Sequence, residues 1–324
     1  MKKEKKQIFE DFYNNILNKE TDYLEEKKKE AKNEKIYNTI KNIILITIWI
    51  ILYEILEFKF KGNTNNFKDI IVFSILFCIL IITLGLIFKY QKKDKYINYL
   101  IEFKKRVINK MLLLFDENLT YHPEGKIDPS IYNEAEFQTN TGFYYSDDFI
   151  SGKLKNGCNY IIGDVQTTKE TDKKIAEMFN GLFASVECPK NFKDSLYLRV
   201  NKNILDRVIE TKRTYKKMKL ELDSKEFESF FDVYASNKII AMQLLTADIM
   251  EMLVKFKKEM NIDYEITIKN NHIYYRFLCG KIFETNDLNK FSLDKDLLYK
   301  YYKIIDFSLI LSEKLTELVK DTEY

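Results

Sequence analysis

IIVFSILFCILIITLGLIF, Ile70–Phe88, is nineteen consecutive residues without a charge. At ~1.5 Å of rise per residue, a helix of that length crosses a hydrocarbon core of roughly 30 Å. The competing reading is a buried core helix. A second uncharged run, Asn42–Tyr53 (NIILITIWIILY), lies just upstream between Lys41 and Glu54. It is short for a span, but long charged side chains at its ends extend toward the headgroups. Tyr37, Tyr53 and Tyr90 sit where interfacial aromatics belong. The two runs predict a transmembrane helical hairpin over residues 42–88, with a short external turn from Phe58 to Asp69.

Charge sets the orientation. Lys27, Lys28, Lys29, Lys32, Lys35 and Lys41 precede the first run, and Lys89, Lys92, Lys93, Lys95, Lys104, Lys105 and Arg106 follow the second. Only Lys59, Lys61 and Lys68 lie between them. Positive charge stays inside, so both termini are expected in the cytoplasm, with the chain crossing the membrane more than once. Forty mostly polar residues precede the first run, which does not read as a signal peptide. Residues 89–110 carry a net charge of +6, whereas Met111 to the end carries −5. The basic band, Lys89, Lys92, Lys93, Lys95, Lys104, Lys105 and Arg106, is expected to contact the lipid surface. The mildly acidic remainder argues against nucleic acid as a partner.

Organisation follows from periodicity and turn chemistry. Residues 1–41 read as a cytoplasmic helix, with Phe9, Phe12, Tyr13, Ile16 and Leu17 on a loose stripe. Residues 89–119 read as a basic amphipathic helix or stalk, with Ile97, Leu100, Ile101, Val107, Ile108, Met111 and Leu112 at helical spacing. The second membrane helix continues into it, on one reading to Leu119 and paired with the N-terminal extension; on the other, two amphipathic helices pack separately. Residues 120–324 read as a cytoplasmic α+β domain of antiparallel hairpins covered by helices. Asn156-Gly157 joins two strands, and Asn270-Asn271 joins Asp263–Lys269 to His272–Cys279. Leu182–Cys188 and Ser195–Val200 are strands with a turn at Pro189–Lys193, and Phe231–Ala235 is another. Thr246 caps a helix over Ala247–Met260, and a helix from Leu293 to Val319 closes the chain. Lys202–Lys219 reads as a basic helix.

Chemistry is sparse. Cys78, Cys158, Cys188 and Cys279 form no CxxC pair, and a reducing compartment leaves them as thiols. His122 and His272 lack metal-ligand spacing, and no phosphate loop or dinucleotide fingerprint is present. No catalytic residue, metal or cofactor is expected. His122 with Glu124 reads as turn polarity rather than an acid–base pair. Asp147, Asp148 and Asp164 form a candidate polar cluster, although adjacent strand residues point to opposite faces. Ser74, Cys78 and Gly85 share a face that would let the first membrane helix approach closely.

The succession NLTYHP (118–123), YYSDDFISGKL (144–154), GLFASVECPKNF (181–192), EFESFFDVYASN (226–237), LLTADIMEML (244–253) and NHIYYRF (271–277) resembles the bacterial domain of unknown function 3137 family, over about residues 8–320. The resemblance implies two N-terminal membrane helices followed by a cytoplasmic domain, and it supplies no catalytic residues. Some family members are encoded near LemA-like membrane proteins, which implies a membrane-protein partner. The expectation is a membrane-anchored, non-enzymatic domain that binds a partner protein or the inner leaflet. The alternative is a membrane-tethered small-molecule sensor or enzyme using the three aspartates. A channel or transporter fits poorly, because neither run carries a central charge.

Overall fold

A computed structural model of the chain describes residues 2–61, 74–75, 78, 82, 85, 94–115, 118–138, 142–171, 174–201, 218–283, 288 and 292–321. The chain divides into two compact units. One comprises Met1–Lys19, Lys104–Thr285 and Leu293–Tyr324, and the other Glu20–Phe103 and Asn286–Ser292. The first nineteen residues thus fold with the sheet domain rather than standing apart as an N-terminal segment.

The larger unit is an antiparallel sheet built from β1 (Thr120–His122), β2 (Tyr144–Lys153), β3 (Asn159–Thr171), β4 (Lys174–Val200), β5 (Met218–Leu220), β6 (Phe231–Ala235) and β7 (Tyr264–Phe277). The β2–β3 turn falls at Asn156-Gly157, where Gly157 has φ +86°, a conformation that glycine adopts without a Cβ penalty. β7 doubles back at Asn270, whose φ is +56°. Its ends therefore meet: the Leu278 N–H donates to Asp263 O at 2.8 Å. The two halves of β7 are flanked by two halves of β4. Leu182–Glu187 pairs with the second half, and Ser195–Leu198 with the first. The turn expected at Pro189–Lys193 is instead a bulged crossing past the tip of β7, with register shifts on both sides of Phe192. Gly181 is required where β4 meets the end of β7, since a Cβ there would lie 2.0 Å from Phe277 O.

Alternation assigns the two faces. Tyr160, Tyr275, Phe277 and Tyr264 face α7 (Ala247–Met260) and α8 (Lys295–Asp321). Tyr160 Oη lies 2.6 Å from Ser308 Oγ, and Phe256 of α7 stacks on Phe307 of α8 at 3.7 Å. The long helix α8 supplies Leu298, Ile304, Ile305, Leu311 and Leu315 to this core. Residues one step along the same strands face the opposite layer. There α4 (Pro129–Glu134), capped by Asp128, covers Val165, Phe179, Phe183 and Tyr274. The Asp128-Pro129-Ser130 turn signal is thus a helix start, with proline at the first helical position. Two short helices, α5 (Lys225–Phe230) and α6 (Lys238–Leu244), are capped by Ser224 and Asn237. α7 begins at Thr246 and ends on Asn261 as a left-handed cap. Met218 and Lys219, expected at the end of a basic helix, lie in β5; residues 202–217 of that helix lie outside the described residues.

This second face buries three charges together. Arg276 Nε donates to Glu265 Oε2 at 2.6 Å, and Arg199 Nε lies 4.0 Å from the same oxygen. Arg199 also donates to Ile266 O at 2.8 Å and Thr267 Oγ1 at 3.0 Å. The Phe137 ring lies within 4.8 Å of one guanidinium and 5.0 Å of the other. Two buried cations on one carboxylate survive only if each desolvated charge keeps its partner.

In the smaller unit, α2 (Thr21–Lys61) is a single helix of 41 residues. α3 (Asp94–Phe103) lies against it. Ala31 packs with Tyr99 and Leu288, and the Lys95 N–H donates to Glu34 at 3.2 Å. As numbers rise in one helix they fall in the other, so the pair is antiparallel. Tyr99 Oη meets Ser292 Oγ at 2.9 Å, and the Ser292 N–H donates to Glu25 at 2.8 Å. In the larger unit, helical winding beyond Phe103 passes through a π-turn at Lys104–Ile108 and ends in a tight turn at Leu112–Leu114. The second apolar run lies mostly outside the described residues. Ser74, Ile75, Cys78, Ile82 and Gly85 are helical and exposed. Among the described residues, a Cβ at Gly85 would meet nothing within 4 Å.

Glu265→Gln tests the charged layer. Leaving both guanidiniums without a carboxylate is expected to destabilise the domain by about 3–5 kcal/mol, read as a lower denaturation midpoint. A change below about 1 kcal/mol would show that the three groups are not coupled.

Candidate functional site

Two features stand out from the scaffold. The first is the surface of α2. Its first half buries one side, with Leu24 and Ala31 covered. From Ile36 onward most large apolar residues are exposed, Ile43 by 58 %, Ile50 by 54 % and Ile55 by 57 %, while Leu45 and Trp49 are half-buried. A helix that is apolar all round is either a core helix or a membrane span, and none of this stretch is buried. Its hydroxyl is internally satisfied, Thr47 Oγ1 donating to Ile43 O at 2.9 Å. That arrangement satisfies the Thr47 hydroxyl without water. Among the described residues this is the one helix long and apolar enough to cross a bilayer.

The second feature is the carboxylate cluster on the α8 side of the sheet. Asp147 and Asp164 are register partners on β2 and β3, so their side chains share a face. Asp148 is the extra residue of a bulge between Asp147 and Phe149 and has φ +54°. The bulge corrects the expectation that neighbouring aspartates must diverge: it re-aims Asp148 to the side of the others. A left-handed aspartate costs on the order of 1–3 kcal/mol, which the surroundings must hold in place.

Each carboxylate has partners in the fold. Asp148, fully buried, accepts from Lys104 Nζ at 2.5 Å and from the Tyr121 hydroxyl. Asp164, also fully buried, accepts the Ile282 and Phe283 backbone N–H groups, both at 3.2 Å. Asp147 accepts from Lys281 Nζ at 3.0 Å, and that ammonium lies 4.5 Å from the Tyr145 ring centre. Burial pushes the Asp148 carboxyl up to about 6, opposed by its bonds to Lys104 and Tyr121 and reinforced by Asp147. Burial also holds Asp164 well above the ordinary carboxylate range, with Asp148 and Asp147 adding to the shift against its two backbone donors. Burial and the neighbouring Asp148 raise the Tyr121 hydroxyl. No grouping of His, Cys, Asp and Glu able to hold a metal occurs among the described residues.

The basic band is divided by this arrangement. Lys95 and Lys105 are exposed, Arg106 is half-buried, and Lys89, Lys92 and Lys93 lie outside the described residues. Lys104 departs from the expectation of a lipid contact. Its side chain is 13 % exposed and committed to Asp148. Its inward turn follows from the π-winding at Lys104–Ile108, which shifts the helical phase that the sequence pattern assumes.

The remaining candidates are separate. His122 Nε2 lies 2.9 Å from Ser151 Oγ, and the ring stacks on Phe149 at 4.5 Å, while Glu124 is exposed. His272 is half-buried and stacks on Tyr274 at 5.5 Å, and burial lowers its pKa. All four cysteines are free thiols, and burial pushes those of Cys188 and Cys279 up to about 12. Sequence reasoning missed Tyr121, Lys104 and Lys281 as members of the aspartate cluster, and no spacing signal connects them.

Residues 177–316 match the family described as Protein of unknown function (DUF3137). A search of curated proteins finds no match. Among solved structures, the crystal structure of the mycobacterial trehalose monomycolate transport factor A, TtfA, matches with a TM-score of 0.35 and 9 % identity, over 62 % of this chain and 86 % of that one. That likeness is too distant to carry a functional reading.

The buried aspartates set a pH dependence. The folded value of Asp148, about 6, lies above the ordinary 3.8. Its contribution to stability is therefore full below about pH 4 and is lost as pH rises through 6. Unfolding free energy is expected to fall between pH 4 and pH 7 by on the order of 2 kcal/mol and to level off above that. Asp148→Asn should flatten that slope. An unchanged slope in the variant would assign the pH dependence elsewhere.

Proposed function

We propose that this chain is a membrane-anchored binding or scaffold protein whose α+β domain works at the cytoplasmic face of the bacterial inner membrane. The observation that carries this reading is the exposed, largely apolar surface of α2 beyond Ile36, none of which is buried. The chain path supports a hairpin. α2 runs on from Glu34 to Lys61, about 40 Å, yet Lys95 lies back beside Glu34. The uncharged run 70–88 falls in sequence between these two described ends. In this reading both termini are cytoplasmic, and the exposed Lys95 and Lys105, with Lys89, Lys92, Lys93 and Arg106, meet anionic headgroups. The partner is a membrane protein, LemA-like by family resemblance.

A second reading, a tethered sensor or enzyme, is favoured by one observation: the three carboxylates are gathered and buried rather than dispersed. The bonds described for them end on the chain's own lysines, tyrosine and backbone. That use is structural, so the anchoring role leads.

Ile46→Lys with Ile50→Lys in the full chain should move the protein from the carbonate-resistant membrane pellet to the soluble fraction. Retention in the pellet would remove α2 as an anchor. In intact cells, an impermeant maleimide should label Asn66→Cys and spare Asp321→Cys. The reverse pattern would invert the topology.

A further inference from the structure

In the larger unit, α1 (Lys2–Phe12) lies across α8. It is held by Lys5 Nζ to Asp306 at 2.7 Å, by Lys295 to Glu10, and by Phe9 stacked on Tyr302 at 5.6 Å. A cavity of about 390 Å³ opens between α1, α7 and α8, within the size range of small-molecule sites. Met252, Phe256, Phe307 and Ile310 give it an apolar floor. A second cavity of about 230 Å³ adjoins it and shares Lys5, Tyr302, Asp306 and Ile310. From Tyr299 to Ile310 the lining follows α8 for about 16 Å, so the space is a slot rather than a bowl.

The charges around the slot are unequal. Of its four lysines, Lys5 is paired with Asp306 and Lys303 with Glu259. Lys6 and Lys255 are exposed and have no carboxylate partner among the described residues. An apolar slot rimmed by two uncompensated cations is complementary to a single apolar chain that ends in an anion.

We propose that the slot between α1, α7 and α8 binds a single-chain anionic amphiphile of the fatty-acid class, its chain along Phe256, Phe307 and Ile310 and its head at Lys6 and Lys255. This names a ligand class for the binding domain, and the membrane anchor enters only as the source of the ligand. Lys5, bonded to Asp306, sits at the boundary of the two cavities, so α1 is the strap over the chain.

The test is photo-crosslinking of the full-length protein in membranes with diazirine-bearing lauric acid and, in parallel, the matching dodecanol probe, mapped by peptide mass spectrometry. Lauric acid is expected to label α7 and α8 around Met252–Phe256 and Tyr302–Ile310. Ile310→Trp should fill the slot and abolish that label while label in α2 persists. Met252→Trp repeats the test if Ile310→Trp lowers the melting temperature. Lys6→Glu with Lys255→Glu should cut lauric acid labelling roughly tenfold and leave dodecanol labelling unchanged. Label on α7 and α8 that survives both tryptophans, or equal labelling by acid and alcohol, overturns the proposal. So does α2 label alone, or crosslinks from these helices to a second copy of the chain. Loss of α2 label with the slot label intact would sink the membrane-anchor reading and leave the slot standing.

Discussion

Because Asn270 adopts a left-handed conformation, β7 turns back on itself and delivers Glu265 beside Arg276, two residues that a straight strand would hold far apart. The rest of the sheet domain is arranged around that return. β4 must run past the tip of β7 to pair with both of its halves, which is why its middle is bulged. The end of β7 comes so close to β4 that position 181 admits only glycine. The buried carboxylate then collects a second arginine from β4, and the Phe137 ring closes over both guanidiniums. Desolvated charges of this kind add little net stability, but they penalise any other register heavily. A one-residue slip would turn the arginines toward the apolar α8 layer.

The elements most legible in sequence were those with local causes. Asn156-Gly157 and Asn270-Asn271 marked turns because their backbone demands few residue types. Thr246 marked a helix start because its hydroxyl accepts the Ile249 N–H. The resemblance to the family matched over residues 177–316 was legible in the order of short motifs, and the α+β class followed from alternating hairpins and helical stripes. Less legible was the path of β4, since Pro189–Lys193 has turn composition yet serves as a crossing whose shape depends on a hairpin eighty residues away. α5 and α6 are too short for periodicity to reveal.

The aspartate cluster was half legible. Three carboxylates were visible as a group, but the alternation of a regular strand separates Asp147 from Asp148. Only a bulge in a left-handed conformation reunites them, and Asp148 lacks the glycine that would advertise one. Lys104 was read as surface charge because it sits in a run of basic residues. Its partner lies forty-four positions away, and the π-turn that aims it leaves no compositional trace. A buried carboxylate needs a cation or donors from wherever the fold can bring them, so its partners cannot be read from its neighbours.

α2 presents a contrast of solvents within one helix. Up to Lys35 it has a buried side and a charged side, the ordinary pattern of a helix in water. Beyond Ile36 its surface is largely apolar, and no residue up to Ile55 is buried. Covering an isoleucine side chain contributes about 1.5–3 kcal/mol, and the exposed series from Ile36 to Ile55 includes nine isoleucines. Leaving them in water would forfeit an amount comparable to the roughly 5–15 kcal/mol of net stability that domains possess. Helix propensity does not offset this, because β-branched residues are poor helix formers in water. A backbone that satisfies all its own hydrogen bonds is what a hydrocarbon solvent demands. The change in side-chain chemistry near Ile36 therefore marks where the surroundings of the helix change, and the antiparallel contact described between Lys95 and Glu34 lies on the polar side of that mark.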